Sequence, residues 1–182
     1  MKKLVWYPIA AVFATLALTA CFKNDDTPKC TANTMAQDRE VIDAFIGTNG
    51  LSYMSFNSDF NLYTGIANPG EGGSPGDNTS IAYKYTIKLM NGTTLFTSDS
   101  LYRNPQTGSN LKPSDFKSTT SPTVEYYFFT HVGKGGVVKV IVPSHIGSDC
   151  RDQQLSNGTV IPANSQLVYD FTLTGVGTTT TP

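Results

Sequence analysis

Two strand-like runs near the C-terminal end constrain this chain more than any other feature. Val137-Val138-Lys139-Val140-Ile141-Val142 is β-branched except at Lys139 and stops at Pro143. Leu167 to Leu173 places Leu167, Tyr169, Phe171 and Leu173 on one face, the period-two pattern of a half-buried strand. Between them lies a long polar loop that ends at Val160-Ile161-Pro162. Such a pair needs further strands, and the earlier sequence supplies them. Ile81, Tyr83, Tyr85, Ile87 and Leu89 alternate with Ala82, Lys84, Thr86 and Lys88. Asn91-Gly92 is a hairpin signal that returns the chain through Thr94-Leu95-Phe96. Phe60 to Ile66 also alternates, and the turn-rich Asn68 to Asp77 follows it.

The chain opens with Met1-Lys2-Lys3 and an apolar run from Leu4 to Ala20 that is too short for a comfortable membrane span. Residues 1–20 read as a secretory signal, and Leu18-Thr19-Ala20-Cys21 matches the bacterial lipobox, so Cys21 is expected to carry lipid. An ordinary signal peptide beside a coincidental cysteine is the alternative. Residues 21–32 then form a tether, whose Lys23, Asp25 and Asp26 fit either a solvated linker or a signal for surface export. The expected location is the outer membrane, held by the lipid and facing the periplasm or the cell surface. Removal of Lys2 and Lys3 from 13 basic residues leaves 11 against 14 acidic ones. That mild acidity, with no basic cluster, argues against nucleic acid as a partner.

With Cys21 committed to lipid, Cys30 and Cys150 remain as an even pair in an oxidising compartment, bonded or as two free thiols. Ten Phe, nine Tyr and sixteen Gly, with only 15% charged residues, fit a β-rich exported domain. Asn33-Thr34 is placed to cap a helix from about Met35 to Ile46, with Val41, Ile42, Phe45 and Ile46 on one face and Asp38 and Glu40 in its early turns. A second, shorter helix is expected from Val124 to Val132, with Val124, Tyr127, Phe128 and Val132 on one side. Tyr126 to Phe129 reads as helix packing more than as a ligand platform. Gly135-Gly136 precedes a strand and so is no phosphate loop. His131 and His145 lack metal-ligand spacing and read as surface or core-edge residues. No Gly-x-Ser-x-Gly elbow is present, and residues 177–182 read as a disordered tail.

Taken together, Gly135-Gly136, the run to Pro143, and Val160-Ile161-Pro162-Ala163-Asn164 leading into Leu167-Val168-Tyr169-Asp170-Phe171 resemble the C-terminal signature of the FKBP-type peptidyl-prolyl isomerases. Gly72-Gly73-Ser74-Pro75-Gly76-Asp77, the Tyr-bearing strand and the Asn91-Gly92-Thr93 turn are similar to the family's N-terminal half, so the resemblance covers about residues 60 to 175. It implies an α+β domain over 59–176, a twisted antiparallel sheet wrapped on a short helix, with an N-terminal helical extension over 33–58.

The chemistry that the resemblance implies needs no nucleophile, metal or cofactor. A prolyl bond rotates against a barrier of roughly 18–20 kcal/mol because twisting removes the resonance of its C–N bond. A dry aromatic pocket for the proline ring, with a donor for the twisted amide's carbonyl, favours the transition state over both planar isomers. By resemblance Tyr85, Tyr169 and Phe96 are the catalytic positions. Leu95, Phe116, Val124, Ile146, Val160 and Ile161 are the substrate-binding ones, with Phe116 expected on a strand. The sequence also departs from the family. Its Phe-Asp reads Leu95-Phe96 without a gap or Phe96-Thr97 with an insertion, Val124 stands at the pocket-floor Trp, and Ile146 replaces a tyrosine. The expected function is isomerisation of X-Pro bonds in exported proteins, by a monomer bound to the membrane through its lipid. A catalytically weak chaperone or binding module on the same scaffold, and a β-sandwich surface binding protein, are the alternatives.

Overall fold

The computed structural model describes residues 30–104, 107–118 and 123–177. The signal segment, Cys21, most of the tether and the tail beyond Gly177 therefore lie outside the described residues. The chain forms α1 (Met35–Thr48), β1 (Ser55–Asn57), β2 (Leu62–Asn68), β3 (Ile81–Leu89), β4 (Thr94–Thr97), α2 (Val124–His131), β5 (Val137–Val142), β6 (Gln153–Gln154), β7 (Val160–Ile161) and β8 (Leu167–Val176). A 3-10 turn, Pro113–Phe116, precedes α2. Among the described residues no helix is long and apolar enough to cross a membrane.

Six strands pair in the order β1-β2-β5-β8-β3-β4, with antiparallel neighbours throughout, and β6 and β7 make a separate small ribbon. The strands β5 and β8 are adjacent at the centre, Val140 facing Tyr169 and Val138 facing Phe171. The clean alternating strand flanks them, with Tyr85 opposite Phe171 and Ile87 opposite Tyr169. The α+β class, the antiparallel sheet with a short helix against one face, and the N-terminal helix agree with the sequence expectation.

Alternation along β8 gives the sheet two dissimilar faces. On one, Tyr83, Val138, Val140, Phe171 and Leu173 pack with Phe128, Phe129 and Val132 of α2 and its C-terminal end. On the other, Ile141, Val168 and Tyr63 pack against Ile42 of α1 and Met54. The N-terminal extension is thus part of the core, its Ile42 wholly buried.

Each helix buries the side the sequence indicates, through Ile42, Phe45 and Ile46 in α1 and Val124, Phe128 and Val132 along α2 and its C-terminal end, with Val41 and Tyr127 as exceptions. Val41 is 47% exposed, and the fully buried partner of Ile42 is the carboxylate Asp38, four residues earlier on the same side. In α2 it is Phe128 and Phe129 that are wholly buried. Tyr127 leans away from them, its ring stacked at 4.0 Å on His131 and edge-on to Phe60. Thr34 caps α1 with Gln37 in a reciprocal capping box, and α1 runs on through Gly47 to Thr48. The second strand begins at Leu62, because Asn61 takes a left-handed turn at φ 55°.

The loops after β2 and α2 cross so closely that they exclude side chains. Glu71 and Lys134 exchange backbone hydrogen bonds at 2.8 and 3.0 Å. A Cβ on Gly70, which sits at φ +71°, would lie 2.5 Å from the Gly133 carbonyl oxygen. That crossing sets the turn from which β5 enters the sheet.

Candidate functional site

The site grows from two strands. Tyr85 on β3 and Tyr169 on β8 are half-buried on the face that α2 crosses, and both rings lie near Phe171, at centroid distances of 5.9 Å each. Phe96, delivered by the Asn91-Gly92 hairpin, sits 5.7 Å from Tyr85. It pairs across to Ile87 despite a register shift at Lys88, so of the two registers considered the aromatic partner of Tyr85 is Phe96, followed by the exposed Thr97.

Tyr85 and Tyr169 join two apolar clusters. One holds Ile87, Leu95, Ile161 and Leu167 with Phe96; the other holds Tyr83, Phe128 and Phe129 with Phe116 and Val124. Of the seven expected site residues besides the tyrosine pair, five therefore fall in these two clusters. Phe116 arrives from the 3-10 turn and not from a strand, because Pro113 starts that turn and Lys112 N–H donates to the Asp115 carboxylate. It packs 4.9 Å from Phe129. Val124 occupies the first turn of α2, whose N-terminus Thr123 caps by accepting from the Tyr126 N–H.

Ile146 and Val160 stand apart, 45% and 50% exposed. For Val160 the reason is strand geometry. Neighbouring residues point to opposite sides, so burying Ile161 turns Val160 outward.

The electrostatics favour neutral hydroxyls. Burial, then the nearby Glu125 and Tyr85, pushes the Tyr83 hydroxyl up to about 12. Tyr169 is raised by burial first and then by Tyr85 and Glu125. Neither the Tyr85 nor the Tyr169 hydroxyl has a hydrogen-bond partner among the described residues. Aromatic rings that carry O–H groups are able to pack on an apolar ring and donate to a polar atom beside it. Glu125 also places a carboxylate within the field of both Tyr83 and Tyr169.

The loop that follows β5 is fastened from beneath by α1. The buried Asp38 carboxylate accepts from Ser144 Oγ at 2.8 and 3.0 Å, His145 N–H at 2.7 Å, Gln166 Nε2 at 2.6 Å and Asn33 Nδ2 at 3.0 Å. Burial alone would raise its pKa, but the donors together hold it below the ordinary value. Cys30 and Cys150 form a disulfide, and Asn164 Nδ2 donates to the Thr31 carbonyl at 2.8 Å. Asp38 was missed as a functional position by sequence reasoning, although its place one turn before Ile42 on the buried side was a readable signal. Tyr83 and Phe171 were likewise legible as core residues but not as walls of the site.

No protein-family model and no curated protein matches the chain. Among solved structures it is similar to FkpA from Escherichia coli, with 20% identity and a TM-score of 0.48 over 78% of this chain and 58% of that one. It is also similar to a peptidyl-prolyl cis-trans isomerase from Pseudomonas syringae pv. tomato, with 14% identity and a TM-score of 0.43 over 81% and 99% of the two chains. For AtFKBP13 the identity is 19% and the TM-score 0.41, over 67% and 97%. The chain thus spans little more than half the length of FkpA.

Proposed function

We propose that this chain is an FKBP-like peptidyl-prolyl isomerase that acts on X-Pro bonds of exported polypeptides from the cell envelope, held there by lipid on Cys21. The observation that carries the reading is the Tyr85–Tyr169 pair, which joins the Phe96 and Ile161 cluster to the Phe116 and Val124 cluster on one face of the sheet. The proline ring would lie among Tyr85, Phe96, Phe171 and Tyr169. A hydroxyl would donate to the proline nitrogen, where the lone pair localises as the amide loses conjugation. No group needs to change protonation, because a tyrosine hydroxyl is protonated at neutral pH and burial raises that of Tyr169 further.

Catalysis of this kind depends on the donors, whereas simple binding depends on the rings. The test is a peptide isomerisation assay comparing the chain with Tyr85→Phe and Tyr169→Phe. Acceleration that falls about 10-fold or more in either variant, with unchanged peptide affinity, supports the isomerase. Tight peptide binding with no acceleration by the unsubstituted chain would replace it with the binding-module reading, which Val124 and the exposed Ile146 favour because neither brings a hydrogen-bond donor to the pocket.

A further inference from the structure

A cleft of about 400 Å³ opens beside the tyrosine pair, lined by Tyr83, Leu101, Leu111 and Phe116, with Arg103, Asn104 and Asp115 also on its walls. Its volume falls within the range of small-molecule sites. Backbone pairing sets the walls in place. Tyr83 and Leu101 exchange hydrogen bonds at 2.9 and 2.6 Å, and Leu111 accepts from Ile81 N–H at 2.9 Å.

The cleft and the candidate site share a wall. Tyr83 stacks on Tyr85 at 6.5 Å and meets Phe116 edge-on at 5.9 Å. An extended polypeptide advances roughly 3.3 Å per residue, so two residues span about that Tyr83–Tyr85 separation. A ligand that ran along β3 with its proline at Tyr85 would bring the side chain two positions away to the Tyr83 end, where the cleft lies.

Charge does not select that side chain. Arg103 donates from Nη1 to the Gly108 carbonyl at 3.0 Å and forms no ion pair among the described residues. Asp115 supplies the opposite charge and accepts from Lys112 N–H at 3.0 Å. One positive and one negative group offset each other, which leaves aromatic and aliphatic surface as the basis of recognition.

We propose that this cleft is a specificity subsite of the same binding region, taking a bulky apolar side chain two residues from the proline of an extended polypeptide. The assignment rests on the isomerase reading for the position of the proline. Burying one such side chain supports a preference of about 10-fold or more over alanine.

The experiment uses the full chain and three Pro peptides, with Phe two residues before the proline, Phe two residues after it, or Ala at both places. Dissociation constants and isomerisation rates are measured for each, and contacts of the Phe ring with the Leu101 and Leu111 methyls are sought by NMR. The expected result is tighter binding by about 10-fold for one Phe peptide, with those contacts. In Leu101→Trp, which narrows the cleft from its exposed rim, the preference for Phe over Ala falls away. Equal affinities for all three peptides overturn the subsite, and isomerisation of the Ala peptide then shows that the isomerase reading survives it. A Phe preference without any acceleration keeps the subsite and removes the enzyme. If no peptide binds, both fail.

Discussion

Asp38 offers a demanding test of how the N-terminal extension supports the site. Asp38→Ala removes a carboxylate that satisfies the His145 backbone N–H, the Ser144 hydroxyl and the amides of Gln166 and Asn33. Each buried donor left without a partner costs about 1–3 kcal/mol, but side-chain donors are able to turn toward other acceptors and the losses do not add. The backbone N–H of His145 has no such freedom. The net destabilisation is therefore expected at about 3–5 kcal/mol, a large part of the roughly 5–15 kcal/mol that holds a typical domain together. Urea unfolding at neutral pH measures it as a lower midpoint with an unchanged slope.

The same group predicts a pH dependence. Its folded pKa lies below the ordinary 3.8, so its contribution is fully present above that value and is lost as pH falls through the folded pKa. The unsubstituted chain should lose stability faster than Asp38→Asn below about pH 4, while the gap between them stays constant from pH 5 to 7. Asp170 is held low as well, by Lys139 and Lys88 against its burial, and acts in the same window in both proteins. A loss under 1 kcal/mol in Asp38→Ala, or an acid limb that is the same in Asp38→Asn, would refute the reasoning.

Three further outcomes are expected. Replacing Cys30 and Cys150 together by Ser opens a link across 120 residues and should destabilise by up to about 5 kcal/mol on the chain-entropy account, read from thermal unfolding with and without reductant. Gly70→Ala places a methyl 2.5 Å from the Gly133 carbonyl oxygen at a positive φ, so it should cost more than about 1 kcal/mol, whereas Gly47→Ala, in open space within α1, should stabilise slightly. Val160→Ala should leave folding within about 0.5 kcal/mol because the side chain is half exposed, while Ile161→Ala should cost about 2–4 kcal/mol.

The sheet was legible because its signals are local. Period two in Ile81 to Leu89 and Leu167 to Leu173 specifies strands and faces, whereas the β3–β4 register is set by an irregularity between Ile87 and Lys88 that the hairpin signal does not show. The tyrosine pair followed from those faces, since Tyr85 and Tyr169 share a side with the core residues of their own strands. Phe116 was misplaced because a 3-10 turn leaves no periodicity, and its polar neighbours are explained only by the capping of Lys112 and Asp115. Asp38 was read as a helix-dipole residue because nothing local shows that Ser144, His145 and Gln166 arrive from more than 100 residues away. The cleft at Leu101 and Leu111 was illegible for a similar reason, since it is assembled by bridges to β3 from a polar stretch without strands of its own.

The Tyr85–Tyr169 pair is proposed to accelerate rotation about a prolyl bond. The direct measurement is exchange NMR of an Ala-Pro peptide with the chain present at a small fraction of the peptide concentration, beside a Tyr85→Ala, Tyr169→Ala double variant shown to be folded. Uncatalysed exchange takes tens to hundreds of seconds. Cis–trans cross-peaks within a sub-second mixing time for the unsubstituted chain, absent for the double variant, are the predicted result. Cross-peaks of equal strength in both, or in neither, would contradict the account.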